Sequence, residues 1–298
     1  MNNTLIAVDK SGSYRVYITI STELVEQARR IHDAEPVASA ALGRLLTAAG
    51  MMGLMLKAEG DKLTVKIGCD GPVQEILATA YPNGAVKGYV ADPSVDLPLR
   101  ESDGKLDVGR AVGTGSLTVI KDLGLKEPYV GRVDLVSGEI AEDFTNYFFA
   151  SEQQPSSVAL GVLVAPDRSV AAAGGFIIQV LPDALDDCLD RLEAQLRHMP
   201  PITEMISQVS DVHQLMDLVF LGMPDIYSPE VLEERNIFWQ CDCSRERMEK
   251  ALISIGRRDL RSIIEEDHGA ELTCQFCRKQ YRFSEEELEK LFEEASRE

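Results

Sequence analysis

The sequence predicts an α+β fold. A mixed sheet-and-helix core domain covers 1–178, an acidic helical linker covers 179–235, and a small cysteine-rich module covers 236–298. Three observations carry this. Strand-like and helix-like periods alternate irregularly in the first part, with no repeating βα unit, which argues against a doubly wound parallel sheet. Charge is concentrated in the middle, where 12 acids face 3 bases and no Lys occurs, within a chain of net charge −19. Four of the 6 cysteines fall in the last part.

In the first part, Tyr14 to Ile20 is β-branched and aromatic and reads as a strand. From Ser39 to Lys57, Leu42, Leu45, Leu46, Ala49, Met52 and Met55 recur at helical spacing. Leu63–Ile67 alternates up to Gly68 and is a second strand. Ala85–Val90, Ser116–Ile120 and Gly131–Leu135 are further strands between Asp, Pro and Gly turns. Glu139–Phe149 returns to helical period, and Val158–Val164 and Gly175–Val180 are apolar strand-like runs.

The middle part is read as helical. Pro182 suits a first helical turn, and Leu185, Leu189, Leu192 and Leu196 form one narrow stripe before Pro200-Pro201. Asp211 with Gln214 resembles a capping box that opens a helix through Phe220. Short helices are marginal without a surface to cover their apolar stripe, and these have acidic outer faces that repel one another. The segment therefore reads as conditionally stable, docked when a surface is offered and loose otherwise. Met199, Met205, Met216 and Met223 suit apolar faces that adapt to several partners.

Cys241-Asp242-Cys243 and Cys274-Gln275-Phe276-Cys277 form a C-x-C and a C-x-x-C pair. Alternate side chains on an extended segment point the same way, so the first pair reaches one ion, and a tight turn does the same for the second. Four thiolates favour tetrahedral Zn²⁺ with Zn–S of about 2.3 Å, one zinc per chain in the reduced form, and leave no open position for hydrolysis. Arg245, Arg247, Arg278 and Lys279 lie beside the ligands to offset the net −2 of such a site. Ser244 and the Ser284/Glu287 pair read as caps of flanking helices. A module with so small a core needs its metal to fold. Thiolates are also the species that oxidise, and oxidation would remove all four ligands together.

These pairs, with their separation, resemble the zinc switch of the bacterial redox-regulated holdase chaperones of about thirty-three kilodaltons, a heat-shock protein family. Gly131–Asp143, Ser151–Ser156, Ala173–Phe176, Ala41–Leu46 and Gly84–Tyr89 are similar to family segments in the same order, so the resemblance spans essentially the whole chain. It implies a reduced, zinc-bound, inactive state with Cys241, Cys243, Cys274 and Cys277 as ligands. It implies that oxidation forms Cys241–Cys243 and Cys274–Cys277 disulfides and releases zinc. The linker then unfolds, and apolar surface that binds unfolding client proteins is exposed without ATP. It further implies a homodimer on activation. Arg278 departs from the Gly that often follows a zinc-knuckle C-x-x-C.

The net charge weighs against nucleic acid and anionic membranes as partners. No run reaches the about 18 apolar residues of a membrane span, and no secretory signal is visible, so the expectation is a cytoplasmic protein. No Walker loop, G-x-S-x-G or H-E-x-x-H occurs, and Gly113-Thr114-Gly115 lacks the rest of a dinucleotide fingerprint. The chain is expected not to be an enzyme. The alternative is a thiol–disulfide oxidoreductase using Cys274 and Cys277, which would call for a C-x-x-C at a helix start. Cys69 and Cys188 are read as packed free thiols outside the switch, and His268 as a helix-end residue.

Overall fold

The structure, a computed structural model, describes residues 3–294. In chain order the elements are β1 Asn3–Asp9, β2 Tyr14–Ile20, α1 Thr22–His32, α2 Pro36–Gly53, β3 Lys62–Cys69, β4 Glu75–Ala80, β5 Ala85–Val90, α3 Val108–Val112, β6 Gly115–Asp122, β7 Tyr129–Asp134, α4 Ala141–Ala150, β8 Ser156–Val164 and β9 Val170–Val180. There follow α5 Asp186–Arg197, α6 Ile202–Ser207, α7 Val212–Val219, β10 Pro229–Asn236, β11 Phe238–Trp239, α8 Arg245–Ser254, α9 Arg257–Asp267, β12 Gly269–Thr273, β13 Gln280–Ser284 and α10 Glu285–Glu294. The fold is α+β, and the described chain divides into two compact units, through Gln240 and from Cys241 onward. Among the described residues no helix is long and apolar enough to cross a membrane.

The first unit is built on two sheets. One has the order β10-β1-β2-β9-β8, and the other β11-β5-β4-β3-β6-β7. All pairings are antiparallel except β11 with β5. α2 starts on Pro36, whose missing N–H costs nothing there, and is buried almost all round. It packs against β8 and β9 of the first sheet and β3, β4 and β5 of the second. Its small residues permit that approach: a Cβ on Gly43 would come within 2.4 Å of Val25 Cγ1.

The loop that leads directly into α4 is held by a single carboxylate from the helix's first turn. Asp143 is fully buried and accepts N–H bonds from Val136 at 2.7 Å, Ser137 at 3.1 Å, Gly138 at 3.4 Å and Ile140 at 2.8 Å. Glu139 next to it binds Arg44 of α2 at 2.6 Å and Arg100 at 2.9 Å, fixing the loop to the central helix.

The first sheet alternates between two cores, as period-2 strands with both faces covered must. Ile6, Tyr17, Ala173 and Ile177 face the α2 side. Leu5, Ala7, Tyr14, Val16, Ile18, Phe176 and Ile178 face α5, α6 and α7. From those helices Cys188, Leu192, Ile202, Met205, Ile206, Val212, Leu215, Met216 and Val219 close this second core. A polar cluster at the β1–β2 turn adds directed contacts. Ser13 Oγ accepts the Leu185 N–H at 3.1 Å, and Tyr14 donates its hydroxyl to the Tyr227 carbonyl at 2.6 Å.

The leucine stripe is shifted from its expected place. Leu185 is the extended N-cap of α5 and is exposed, so the buried stripe centres on Cys188 and Leu192. Pro182 lies before the helix rather than in its first turn. The Asp211 cap forms, with Oδ1 accepting the Gln214 N–H at 2.9 Å, while Gln214 reaches back to the Ser210 N–H at 3.1 Å. The stretch read as helical is not helical to its end: Pro229–Asn236 is strand β10, paired along β1. An acidic, exposed strand has no apolar alternation to betray it, and the partner edge decides its conformation.

Beyond β10, Ile237 is fully buried in the core beside α2, with side-chain carbons 3.2 Å from a Cβ position at Gly50. The chain passes Gly84, whose φ is +87° and where a Cβ would lie 1.9 Å from the Asn236 carbonyl oxygen. It then pairs β11 with β5, crossing from the first sheet to the second.

Candidate metal centre

The second unit places two cysteine pairs against each other. β12 and β13 pair antiparallel from Gly269↔Ser284 to Thr273↔Gln280, and Cys274–Cys277 is the turn that joins them. Inside it the Cys274 N–H donates to the Lys279 carbonyl at 2.9 Å and the Arg278 N–H to the Cys274 carbonyl at 2.8 Å. Arg278 takes φ +59°, the left-handed conformation for which Gly is the usual residue. Cys241 and Cys243 lie on the irregular segment just before α8. Ser244 caps that helix through Oγ and the Arg247 N–H at 3.3 Å. Ser284 and Glu287 form the reciprocal box at α10, with N···O distances of 2.9 and 3.4 Å. Leu252, Leu260, Ile264, Tyr281, Phe283, Leu288 and Leu291 make the small core beside the sulfurs.

The four Sγ atoms lie within 4.8 Å of one another. Cys241 and Cys274 are 3.8 Å apart and Cys243 and Cys277 3.3 Å apart, each contact joining one pair to the other. A tetrahedral Zn²⁺ at about 2.3 Å from each sulfur sets sulfur–sulfur edges of about 3.8 Å. The donor set and its spacing thus fit a zinc ion. A disulfide needs about 2.05 Å, so this is the reduced, four-thiol arrangement.

The surroundings differ from the sequence expectation in one respect. Two of the four basic residues have acidic partners of their own. Arg247 pairs with Asp242, and Arg245 pairs with Glu287 at 2.6 Å while lying 4.3 Å over the Phe283 ring. Lys279 sits 5.1 Å over the Tyr281 ring. A direct donor to sulfur is instead Tyr281, whose hydroxyl gives a hydrogen bond to Cys243 Sγ at 3.1 Å. Burial works to raise Cys243, but the Tyr281 hydroxyl and the neighbouring thiols outweigh it and hold the thiol below its usual value. Burial pushes Cys241 and Cys277 up. Tyr281 was not singled out from the sequence as a partner of sulfur; its place four residues after Cys277, one strand step past the turn, is the only signal there.

Cys69, Cys188 and His268 are not members of the four-sulfur cluster. Cys69 ends β3 and is half-buried, and Cys188 is on the buried face of α5. His268 closes α9 in a left-handed conformation and meets Glu285 at 3.1 Å.

The profile of the family described as Hsp33 protein matches residues 2–284. The chain belongs to the Hsp33 family. Over 296 residues it is 50% identical to the 33 kDa chaperonin of Clostridium perfringens, covering 99% of this chain and 92% of that protein. The 33 kDa chaperonin of Alkaliphilus oremlandii is also 50% identical, over 98% of this chain and 96% of its own length. The crystal structure of the Thermotoga maritima 33 kDa chaperonin, a heat shock protein 33 homolog, superposes with a TM-score of 0.89 at 35% identity, covering 100% of this chain and 99% of that one. The Hsp33 family is a chaperone family, and the four-cysteine cluster of this member is consistent with zinc and redox chemistry.

Proposed function

We propose that the protein is a redox-regulated, ATP-independent holdase whose reduced form carries one Zn²⁺ on Cys241, Cys243, Cys274 and Cys277. The observation that carries this is the convergence of two sequence-distant pairs into one cluster with zinc-like edges. Oxidation joins Cys241 to Cys243 and Cys274 to Cys277. With hydrogen peroxide as oxidant, each pair of thiolates gives two electrons to one peroxide as its S–S bond forms, the peroxide O–O bond breaks and takes up two protons from solvent to leave two waters, and Zn²⁺ departs with its charge unchanged. In functional terms the chain divides into a core 1–178, a linker 179–235 and a switch 236–298, of which residues 1–2 and 295–298 lie outside the described residues. Release of the linker would uncover the sheet face that α5, α6 and α7 now cover. That face is a surface for unfolded or partly folded clients. The active form is a homodimer in the cytoplasm, and the activity is binding rather than catalysis.

The oxidoreductase reading finds less support. Its C-x-x-C should open a helix, whereas Cys274–Cys277 joins two strands.

The test is zinc content and free-thiol count before and after mild peroxide, with suppression of client aggregation measured on the same samples. One zinc per chain, four thiols lost on its release and a gain in holding are expected. Zinc kept through oxidation, or released with no gain, would refute the switch.

A further inference from the structure

The linker covers more than a sheet face. Its last element, β10, runs along β1 from Asn3↔Asn236 to Asp9↔Pro229 and forms the edge of the first sheet. The two strands are unequal partners. β1 is Asn-Thr-Leu-Ile-Ala-Val-Asp, with Thr4 to Ala7 buried on both faces. In β10 every side chain from Glu230 to Asn236 is exposed. What β10 supplies is therefore chiefly its backbone, which pairs with the outward N–H and C=O groups of β1.

Its composition is poor for that task. Pro229 lacks a donor, Glu and Asn are weak strand formers, and Glu230, Glu233 and Glu234 place three acids on eight residues. The register slips between Ile6 and Ala7, so one residue of β10 stands outside the ladder there. Such a strand is a replaceable cover. If it leaves, β1 becomes a long apolar edge with unpaired backbone groups, which is a template for another extended chain.

We propose that the outer edge of β1 is a strand-accepting site, held by β10 in the docked state and taken over after release by an extended segment of an unfolded client polypeptide. The proposal rests on the release of residues 179–235 proposed above. In strand addition, main-chain hydrogen bonds give affinity and side-chain pockets give specificity. The side chains of β10 are exposed, and the bonds they make, such as Asn3 Nδ2 to Glu234 at 2.6 Å and Arg235 to the Pro82 carbonyl at 3.0 Å, are surface ones, so the edge makes little demand on what a pairing strand carries. An edge with hydrogen bonds and no pockets accepts many sequences, as a surface for unfolded chains of unrelated sequence must. A client segment rich in Val, Ile, Phe or Tyr would pair better than β10 does.

Backbone hydrogen exchange of the full chain over residues 3–9 tests this, with a carboxymethylated, permanently unfolded polypeptide as the probe. The amides of β1 that face β10 should be protected in the reduced zinc form and exchange at least tenfold faster after oxidation. They should slow again by a similar factor once the probe is bound. Amides that stay fast with the probe captured would overturn the strand site while leaving the holdase reading intact; amides that stay protected through oxidation would overturn the strand site together with the release of the linker's last strand. Oxidised protein that captures no probe would defeat the holdase reading, and the strand site with it.

A tether gives the second measurement. Val8 and Glu230 are cross-strand partners, and directly opposed residues are about 4.5–5.5 Å apart at Cα, within disulfide reach. The double variant Val8→Cys/Glu230→Cys, with the bond verified by mass spectrometry, should release zinc on oxidation as usual but capture the probe at least tenfold less. Undiminished capture with the tether closed would overturn the proposal.

Discussion

Replacing Ile237 by Ala should loosen the passage between the two sheets of the first unit more than the unit itself. Ile237 is wholly buried, and its γ and δ carbons rest against Gly50 of α2. The change removes three carbons, about 2.4 kcal/mol at about 0.8 kcal/mol each. A cavity term is added because the wall at Gly50 is bare backbone and has no side chain to swing inward. The sum is about 3–4 kcal/mol, inside the roughly 2–5 kcal/mol range of such truncations. Ile237 anchors only two residues of β11 on one side and the exposed strand β10 on the other, so the loss should fall on those elements first. Native-state hydrogen exchange reads this directly. Protection of β10 and β11 amides should fall by about two to three powers of ten, at about 1.4 kcal/mol per tenfold, while the amides of β3 change far less. Equal loss everywhere would show that Ile237 belongs to the global core and that the passage does not open alone. Unchanged protection would refute the packing argument itself. By the proposed function, the reduced variant should also hold clients to a measurable degree.

Three other outcomes are expected. Cys274→Ser should cut zinc retention and loosen the unit after Gln240 without unfolding residues 1–178, giving partial holding without oxidant; full exchange protection of the C-terminal unit in that variant would contradict it. Arg278→Gly should stabilise the zinc-loaded C-terminal unit by about 0.5–1 kcal/mol, since a side chain at positive φ costs about 1–2 kcal/mol and part is returned by the freer unfolded chain; thermal melting of the zinc form checks the sign. Glu26 is held down at about 2, first by the hydrogen bond from Arg29, with burial opposing and bonds from the Val170 N–H and Arg30 adding to it. Its folded value lies below the ordinary 4.5, so its contribution is full above about 4.5 and fades as pH falls toward 2. In Glu26→Gln, denaturant midpoints should therefore fall less steeply across that window than in the parent.

The parts of the fold that were legible in the sequence are those where one residue period has one use. Tyr14–Ile20, Leu63–Ile67 and Ala85–Val90 are strands, and the helical spacing read from Ser39 to Lys57 belongs to the central helix, which the structure bounds at Pro36 and Gly53. The cysteine pairs were legible because thiolate geometry constrains spacing, and the four sulfurs do converge. Elements whose form depends on a distant partner were not. β10 has no apolar face of its own and is a strand only because β1 offers an edge. Leu185 fits the leucine spacing but stands outside the helix, since an N-cap residue is extended whatever its side chain. Nothing in the sequence beyond its spacing from Cys277 marks Tyr281 as a partner of sulfur; the folded turn brings its hydroxyl onto Cys243.

The placement of α2 has a consequence for synthesis. Its apolar surface runs all round the helix, and a substantial part of its cover comes from β8 and β9. On a ribosome adding about 5–20 residues per second, the interval between Gly53 and Ser156 is about 5–20 s. During that time β3, β4 and β5 can cover one side of the newborn helix, but the side that β8 and β9 will cover stays bare and sticky. A protein of a chaperone family thus begins life as the kind of chain that needs protecting, and its yield in the cell should depend on what else holds it until residue 180 has emerged.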